Sequence, residues 1–137
     1  MNALYAEVHC WAATPFAWGE TDCILALANW IHRVRGVDLG APWRMAYSNA
    51  AECQQVTGFF TDPVAFMDKA VAPLGLERTE APVGGDIGVC SLPWMRRPVG
   101  GLNVGRCRWA FKTQDGVTVQ DGKLVTVIAA WSVGYEA

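Results

Sequence analysis

The segment Phe16–Cys23, FAWGETDC, runs directly into the strongest helical pattern of the chain and most constrains how the chain can fold. In residues 23–35 the apolar side chains recur three or four positions apart, which predicts a helix with one apolar face. Thr21 or Asp22 can cap the start of this helix, and Gly36 can end it. The thiol at the helix start is therefore expected to lie where the apolar face packs on the rest of the domain.

The periodicity changes near residue 82, from helical before it to strand-like after it. Three further helices are predicted at Ala3–Trp11, Asn49–Val56 and Pro63–Ala72. Five strands are predicted at Asp86–Ser91, Val99–Val104, Arg106–Lys112, Val117–Gln120 and Leu124–Val133. Helices followed by strands indicate an α+β fold in which N-terminal helices pack on a C-terminal antiparallel sheet.

The expected sheet is a five-strand meander. Asp115-Gly116 and Asp121-Gly122 are dipeptides typical of hairpin turns. The run Leu124–Trp131 is rich in β-branched residues at its start, and we expect it to lie in the centre of the sheet.

The length and composition of the chain exclude several classes of protein. The length of 137 residues predicts one domain over 1–137, and 52% hydrophobic content argues against disorder. No apolar run reaches the ~18 residues of a membrane-spanning helix. Met1–Pro15 has no basic region before its short apolar stretch, so no signal peptide is expected. A net charge of −2 argues against a dedicated nucleic-acid binder.

Five cysteines are too far apart in sequence for a CxxC zinc or redox motif, so neither a metal nor another cofactor is predicted. Four of them are expected to be reduced, buried thiols: Cys10, Cys53, Cys90 and Cys107. Cys23 differs because it lies in the first turn of the predicted helix, beside unpaired backbone N–H groups and the positive end of the helix dipole. Both should lower the pKa of its thiol below the ~8.5 of a free cysteine and make it a candidate nucleophile. A relic thiol at a former active site and a plain core cysteine are the alternative interpretations of Cys23.

Phe16–Cys23 resembles the Trp-Gly…Asp-Cys signature of NlpC-type cell-wall cysteine peptidases, small papain-like enzymes that cut peptide or amide bonds in peptidoglycan. Gly85–Val89 resembles the Gly-Asp motif that begins the barrel of that family. Val99–Gly105 and Trp109–Phe111 resemble the next two strands. The resemblance covers about residues 14–133. It implies a papain-like fold with a catalytic cysteine at the start of the central helix.

In this sequence the resemblance assigns the nucleophile to Cys23 and makes Asp22, beside it, a candidate catalytic residue. The aromatic-glycine turn before Cys23 is expected to form a pocket wall, which makes Trp18 a candidate binding residue. The short length and the pairing of Gly36–Asp38 with Trp43–Arg44 are most similar to compact members encoded by tailed phages, prophages and gene-transfer agents. In those gene sets the protein belongs to the tail tip. The resemblance thus implies a virion protein made in the host cytoplasm, with other tail-tip or hub proteins as partners.

The base of the family is absent from its expected position. The family places a histidine where this chain has Val99 and Gly100, and its third polar residue falls near Phe111 or Lys112. Of the two histidines, His32 lies nine residues beyond the thiol, ~13.5 Å along the helix and on its opposite side. His9 is then the remaining candidate base, although no spacing supports it.

Two functions follow from this mixed pattern. The first is a structural tail-tip component with a catalytically degenerate peptidase fold. The alternative is an active peptidoglycan hydrolase, an endopeptidase or amidase that aids cell-wall penetration. A cytosolic amidase or thiol-based transferase unrelated to phages is a third option.

The segment Pro93–Pro98, PWMRRP, combines residue types that are enriched at protein interfaces. Trp94, Arg96 and Arg97 are therefore candidate binding residues, although Trp94 could instead fold onto the core. The surrounding basic cluster is either a solvated face or a docking surface for an acidic partner, and its members are Arg96, Arg97, Arg106, Arg108 and Lys112. Asp86 could orient a base, but its place after two glycines is more typical of a turn or cap residue.

Overall fold

A computed structural model describes residues 2–136. Its first half is helical. The four α-helices are α1 (Ala3–Ala13), α2 (Cys23–Arg35), α3 (Ala50–Thr57) and α4 (Pro63–Val71). Single turns of 3-10 helix occur at Ala41–Trp43, Ala72–Leu74 and Gly122–Leu124.

The second half forms one antiparallel sheet, as predicted. Its strands are β1 (Ile87–Ser91), β2 (Val99–Gly105), β3 (Arg108–Thr113), β4 (Gly116–Asp121) and β5 (Thr126–Trp131). Their order across the sheet is β4-β3-β2-β1-β5. The predicted α+β architecture, with helices first and an antiparallel sheet second, is confirmed at this level.

The predicted central position of the last strand is wrong. β5 lies at an edge and pairs with β1, so only β1 to β4 form a meander. Asp121-Gly122 does not make a hairpin: the Asp121 carboxylate accepts a hydrogen bond from the Lys123 backbone N–H and opens a 3-10 turn, from which the chain crosses to the opposite edge. The β-branched start of β5 is exposed, and only Ala130 and Trp131 at its end are buried.

Helix α2 begins and ends where its capping residues predict. The Asp22 carboxylate accepts hydrogen bonds from the backbone N–H groups of Ile24 and Leu25, each at 3.0 Å. Gly36 ends the helix in the left-handed conformation, with a φ of 75°. These contacts satisfy two of the orphan N–H groups of the helix start and fix which residue opens the helix.

The apolar face of α2 packs directly on β2, as predicted. A Cβ added at Gly100 would lie 2.8 Å from Leu27 Cδ1 and 3.3 Å from the Cys23 carbonyl oxygen, so the close approach requires glycine. Trp30, which is fully buried, donates its indole N–H to the Gly85 carbonyl at 2.8 Å. Cys23 is thereby held at the helix start against the beginning of β2.

All five cysteines are free thiols. Cys53 and Cys90 are buried as predicted, but Cys10 and Cys107 are exposed, so the prediction is wrong for these two. Cys107 lies in the tight turn between β2 and β3 with a φ of 58°, and Cys10 lies on the outer side of α1. None of the helices formed by residues 2–136 is long and apolar enough to cross a membrane.

Candidate functional site

A cavity of about 250 Å³ opens at the N-terminal end of α2, and Cys23 lies in its wall. Five segments enclose it: the loop before α2, the start of α2, the α3–α4 loop, the β1–β2 loop with the start of β2, and the end of β3 with the following turn. The cavity therefore combines both halves of the fold around the thiol that the sequence singles out.

The loop before α2 is held by Asp22, which is 1% exposed. Besides capping the helix, its carboxylate accepts hydrogen bonds from the Gly19 backbone N–H and the Tyr47 hydroxyl, both at 2.8 Å. Gly19 has a φ of 78°, and a Cβ there would lie 2.2 Å from the Tyr47 carbonyl oxygen. Asp22 thus holds the loop and the helix start in place, and it does not line the cavity. Its geometry is that of a positioning residue, unlike the catalytic assignment that the resemblance suggests.

Aromatic side chains form much of the cavity wall. Trp18 lies in this wall as the sequence predicts, with its ring edge-on to Phe16 at 5.0 Å and to Phe60 at 6.4 Å between centroids. The guanidinium carbon of Arg97 lies 4.5 Å from the centroid of the Phe60 ring. Phe60 was not predicted as a site residue, because its loop is distant in sequence. Its only local signal is the aromatic pair Phe59-Phe60 after a glycine.

The predicted low pKa of the Cys23 thiol is wrong. Burial raises it to about 12, and the negative charge of Asp22 adds to the increase. The Gly100 backbone N–H and the charge of Arg97 act in the opposite direction but do not outweigh burial. The Asp22 carboxylate also occupies helix N–H groups that the sequence argument assigned to the thiolate. At neutral pH the cavity therefore contains a neutral thiol.

At the position where the resemblance to NlpC-type peptidases places a base, the residues of this chain cannot accept a proton. Val99 lines the cavity and is 3% exposed, while Gly100 packs under α2. Further along, Phe111 is fully buried in the core. Lys112 does line the cavity, but its ammonium group donates hydrogen bonds to the carbonyl oxygens of Trp11, at 2.7 Å, and Thr14. Lys112 thereby anchors the end of α1 to β3.

The structure does not bring a histidine to the cavity. His9 is exposed on α1, and His32 is exposed in the last turn of α2; neither is among the residues that line the cavity. Within residues 2–136, no His, Asp or Glu side chain forms a hydrogen bond with the Cys23 sulfur, and no three potential metal ligands are grouped together. The speculative assignment of His9 as a base gains no geometric support.

Asp86 has the turn role that its position after two glycines suggests. Its carboxylate accepts hydrogen bonds from the backbone N–H groups of Val83, at 2.9 Å, and Val133, at 3.2 Å. Arg106 and Arg108 are exposed, whereas Lys112 is 2% exposed and so does not belong to the basic surface with which the sequence groups it.

The segment Pro93–Pro98 forms an exposed loop at the rim of the cavity. Trp94 is 56% exposed, which excludes the alternative that it folds onto the core. Arg96 and Arg97 are also exposed, whereas Met95 is partly buried and packs against the core from the cavity wall. One loop therefore supplies both an outward-facing tryptophan and part of the cavity.

The sequence of the chain matches the model of one protein family. The chain belongs to the DUF6950 family, a domain family of unknown function, whose sequence model matches residues 1–133. No curated protein and no solved structure matches the chain.

Proposed function

We propose that this chain is a structural component of the tail tip of a tailed phage or related particle, built on an NlpC-type peptidase fold that has lost its catalytic function. One observation carries the proposal. Cys23 opens the central helix and lines a cavity, as the nucleophile of such an enzyme does, yet its thiol is neutral and Val99 lies where a base would be needed.

Hydrolysis by a cysteine enzyme needs a thiolate and a group that protonates the leaving amine. A thiol with a pKa of about 12 is almost wholly protonated at pH 7. The cationic Lys112 is held by two carbonyl oxygens at the end of α1. General acid–base assistance is worth about 10²- to 10⁴-fold in rate. Within the described part of the chain, residues 2–136, no His, Asp or Glu lines this cavity to supply it.

The exposed loop Pro93–Pro98 supports a role in assembly. Interface cores favour Trp, Met and Arg and exclude most other charged residues. The two prolines restrict the loop, so less conformational entropy is lost when it docks. We therefore infer that Trp94, with Arg96 beside it, contacts a neighbouring tail-tip or hub protein in the virion, after the chain is made in the host cytoplasm.

The test replaces Trp94 and Arg96 together with alanine and measures particle assembly and the folding of the isolated chain. We expect assembly to fail while the chain folds normally, because Trp94 is 56% exposed and contributes little to the core. The matched control replaces Tyr5, which is 47% exposed, and Arg108 on β3, and should leave assembly unchanged. Normal infectious particles from the first variant would refute this role of the loop.

A second assay tests catalytic degeneracy. Purified chain is incubated with peptidoglycan, and released peptides are measured by mass spectrometry. We expect no release above the level of a Cys23→Ser variant. Release that depends on Cys23 would instead establish the alternative function, an active cell-wall hydrolase.

A further inference from the structure

We propose that the cavity at the start of α2 binds an acidic segment of a partner protein, which inserts one apolar or aromatic side chain into the cavity against Trp18 and Phe60 and places a carboxylate on Arg97. This rests on the proposed function, because a cleft that cleaved its ligand would not retain a partner. The proposal specifies the chemistry of the partner at this site.

The size and polarity of the cavity suit one apolar side chain. Its wall includes the aromatic rings of Phe16, Trp18 and Phe60, together with Met95 and the neutral thiol of Cys23. Its volume of about 250 Å³ corresponds to about eight water molecules. Small-molecule sites usually occupy about 300–1,000 Å³, so this cavity suits a single side chain better than a whole ligand of that kind. Water in such an apolar cavity is readily displaced by an apolar group.

The charge of the cavity wall favours an acidic ligand. Among residues 2–136 no Asp or Glu lines the cavity, whereas two cationic residues, Arg97 and Lys112, do. The Lys112 ammonium is already held by the Trp11 and Thr14 carbonyl oxygens. Arg97 forms no salt bridge among residues 2–136, and its guanidinium stacks on Phe60. Stacking uses the face of the guanidinium and leaves its N–H edge for a carboxylate, which it binds in a bidentate manner.

The cavity is continuous with the exposed loop Pro93–Pro98. Met95 and Arg97 contribute to the cavity, while Trp94 and Arg96 beside them are exposed. Successive residues of an extended segment are about 3.3–3.6 Å apart, so a peptide anchored in the cavity reaches the outer side of the loop within a few residues. A protein segment can contact both the cavity and the exposed side of the 93–98 loop. Arg96, a second cation outside the cavity, also favours an acidic segment.

The experiment titrates the isotope-labelled full chain with an acetylated tripeptide amide that has phenylalanine between two glutamates, and follows backbone amide shifts by NMR. We expect shifts at the cavity and the 93–98 loop. Replacing the phenylalanine with alanine, or the glutamates with lysines, should weaken binding at least about tenfold. Arg97→Gln should weaken it by about the same factor, Arg97→Lys by less, and the control Arg108→Gln should leave it unchanged.

Equal affinity for the acidic and basic peptides, or shifts located away from the cavity, would overturn the proposal. Preferential binding of a soluble muropeptide over the acidic peptide would overturn it in favour of a cell-wall ligand. Peptide binding is measured on the isolated chain, whereas the proposed function is tested by particle assembly. Failure of one is therefore distinguishable from failure of the other.

A second readout uses the thiol in the wall. The acidic tripeptide should slow alkylation of Cys23 at pH 10 at saturating peptide but leave alkylation of the exposed Cys107 unchanged. Equal rates for Cys23 with and without peptide would show that the peptide does not enter the cavity and would contradict the proposal.

Discussion

Cys23 should be alkylated more slowly than the exposed thiols, although its position at a helix start suggests a reactive one. A limiting amount of iodoacetamide is added to the native chain, so that all five cysteines compete for the reagent. Cys10 and Cys107 are exposed, whereas Cys23 is buried. We expect these two to react first and Cys23 to react far more slowly.

The magnitude follows from the pKa of Cys23, which burial raises from 9.0 to about 12. At pH 7.5 this shift lowers the thiolate fraction about 10³-fold relative to an unperturbed thiol. The intrinsic nucleophilicity of the thiolate rises with its pKa, with a Brønsted coefficient of about 0.4–0.5. This increase offsets part of the fall in alkylation rate that the lower thiolate fraction causes. The net expectation is alkylation about thirty- to sixty-fold slower, before any further reduction from restricted access to the cavity.

The assay quantifies alkylated peptides by mass spectrometry over time, at pH values from 6 to 11. The rate at Cys23 should still be rising at pH 11, as expected for a thiol with a pKa of about 12. Fully unfolded chain, in which the five thiols should react at similar rates, provides the reference. If Cys23 is alkylated first in the native chain, with a rate that levels off below pH 8, then a stabilised thiolate exists and the argument from burial is refuted.

Four further predictions concern the same region. The free energy of unfolding should fall between pH 9 and 12, because folded Cys23 keeps a proton that the unfolded chain has released; the contribution of Cys23 to this fall is about 4 kcal/mol. Cys23→Ala should remove this contribution. Gly19→Ala should destabilise the chain by about 3 kcal/mol in urea unfolding, since it places a Cβ at positive φ against the Tyr47 carbonyl. Asp22→Asn should cost about 2 kcal/mol and also lower the pKa of Cys23, as seen in its alkylation profile, because the neighbouring negative charge is lost. Val99→His should accelerate Cys23 alkylation at pH 7.5 by at least tenfold, because it places an imidazole in the wall of the same cavity; an unchanged rate would contradict that geometry.

The sequence predicted α2 to the residue because its limits depend on contacts between near neighbours. Asp22 caps the first turn, Gly36 ends the last, and both lie next to the helix. The sheet order depends instead on contacts between distant residues. β5 leaves the β4 edge through the turn at Asp121 and pairs with β1, more than thirty residues earlier in the chain, and no local pattern encodes that choice.

The candidate site was predictable in location but not in electrostatics. The motif around Cys23 indicated which thiol opens the central helix and that Trp18 lies beside it. The pKa of that thiol is set by burial beneath groups from distant loops, among them Phe60 and Arg97, and a sequence argument limited to the helix dipole omits this desolvation. The exposure of Cys107 likewise follows from the turn between β2 and β3.

The protein content of purified particles tests whether this chain is a structural part of a virion tail tip. Particles released by cells that carry the gene of this chain are purified on a density gradient, and the chain is quantified by mass spectrometry against the tail proteins of those particles. We expect a fixed number of copies per particle, and the same number in a Cys23→Ser variant that remains infectious. Absence of the chain from purified, infectious particles would contradict the account.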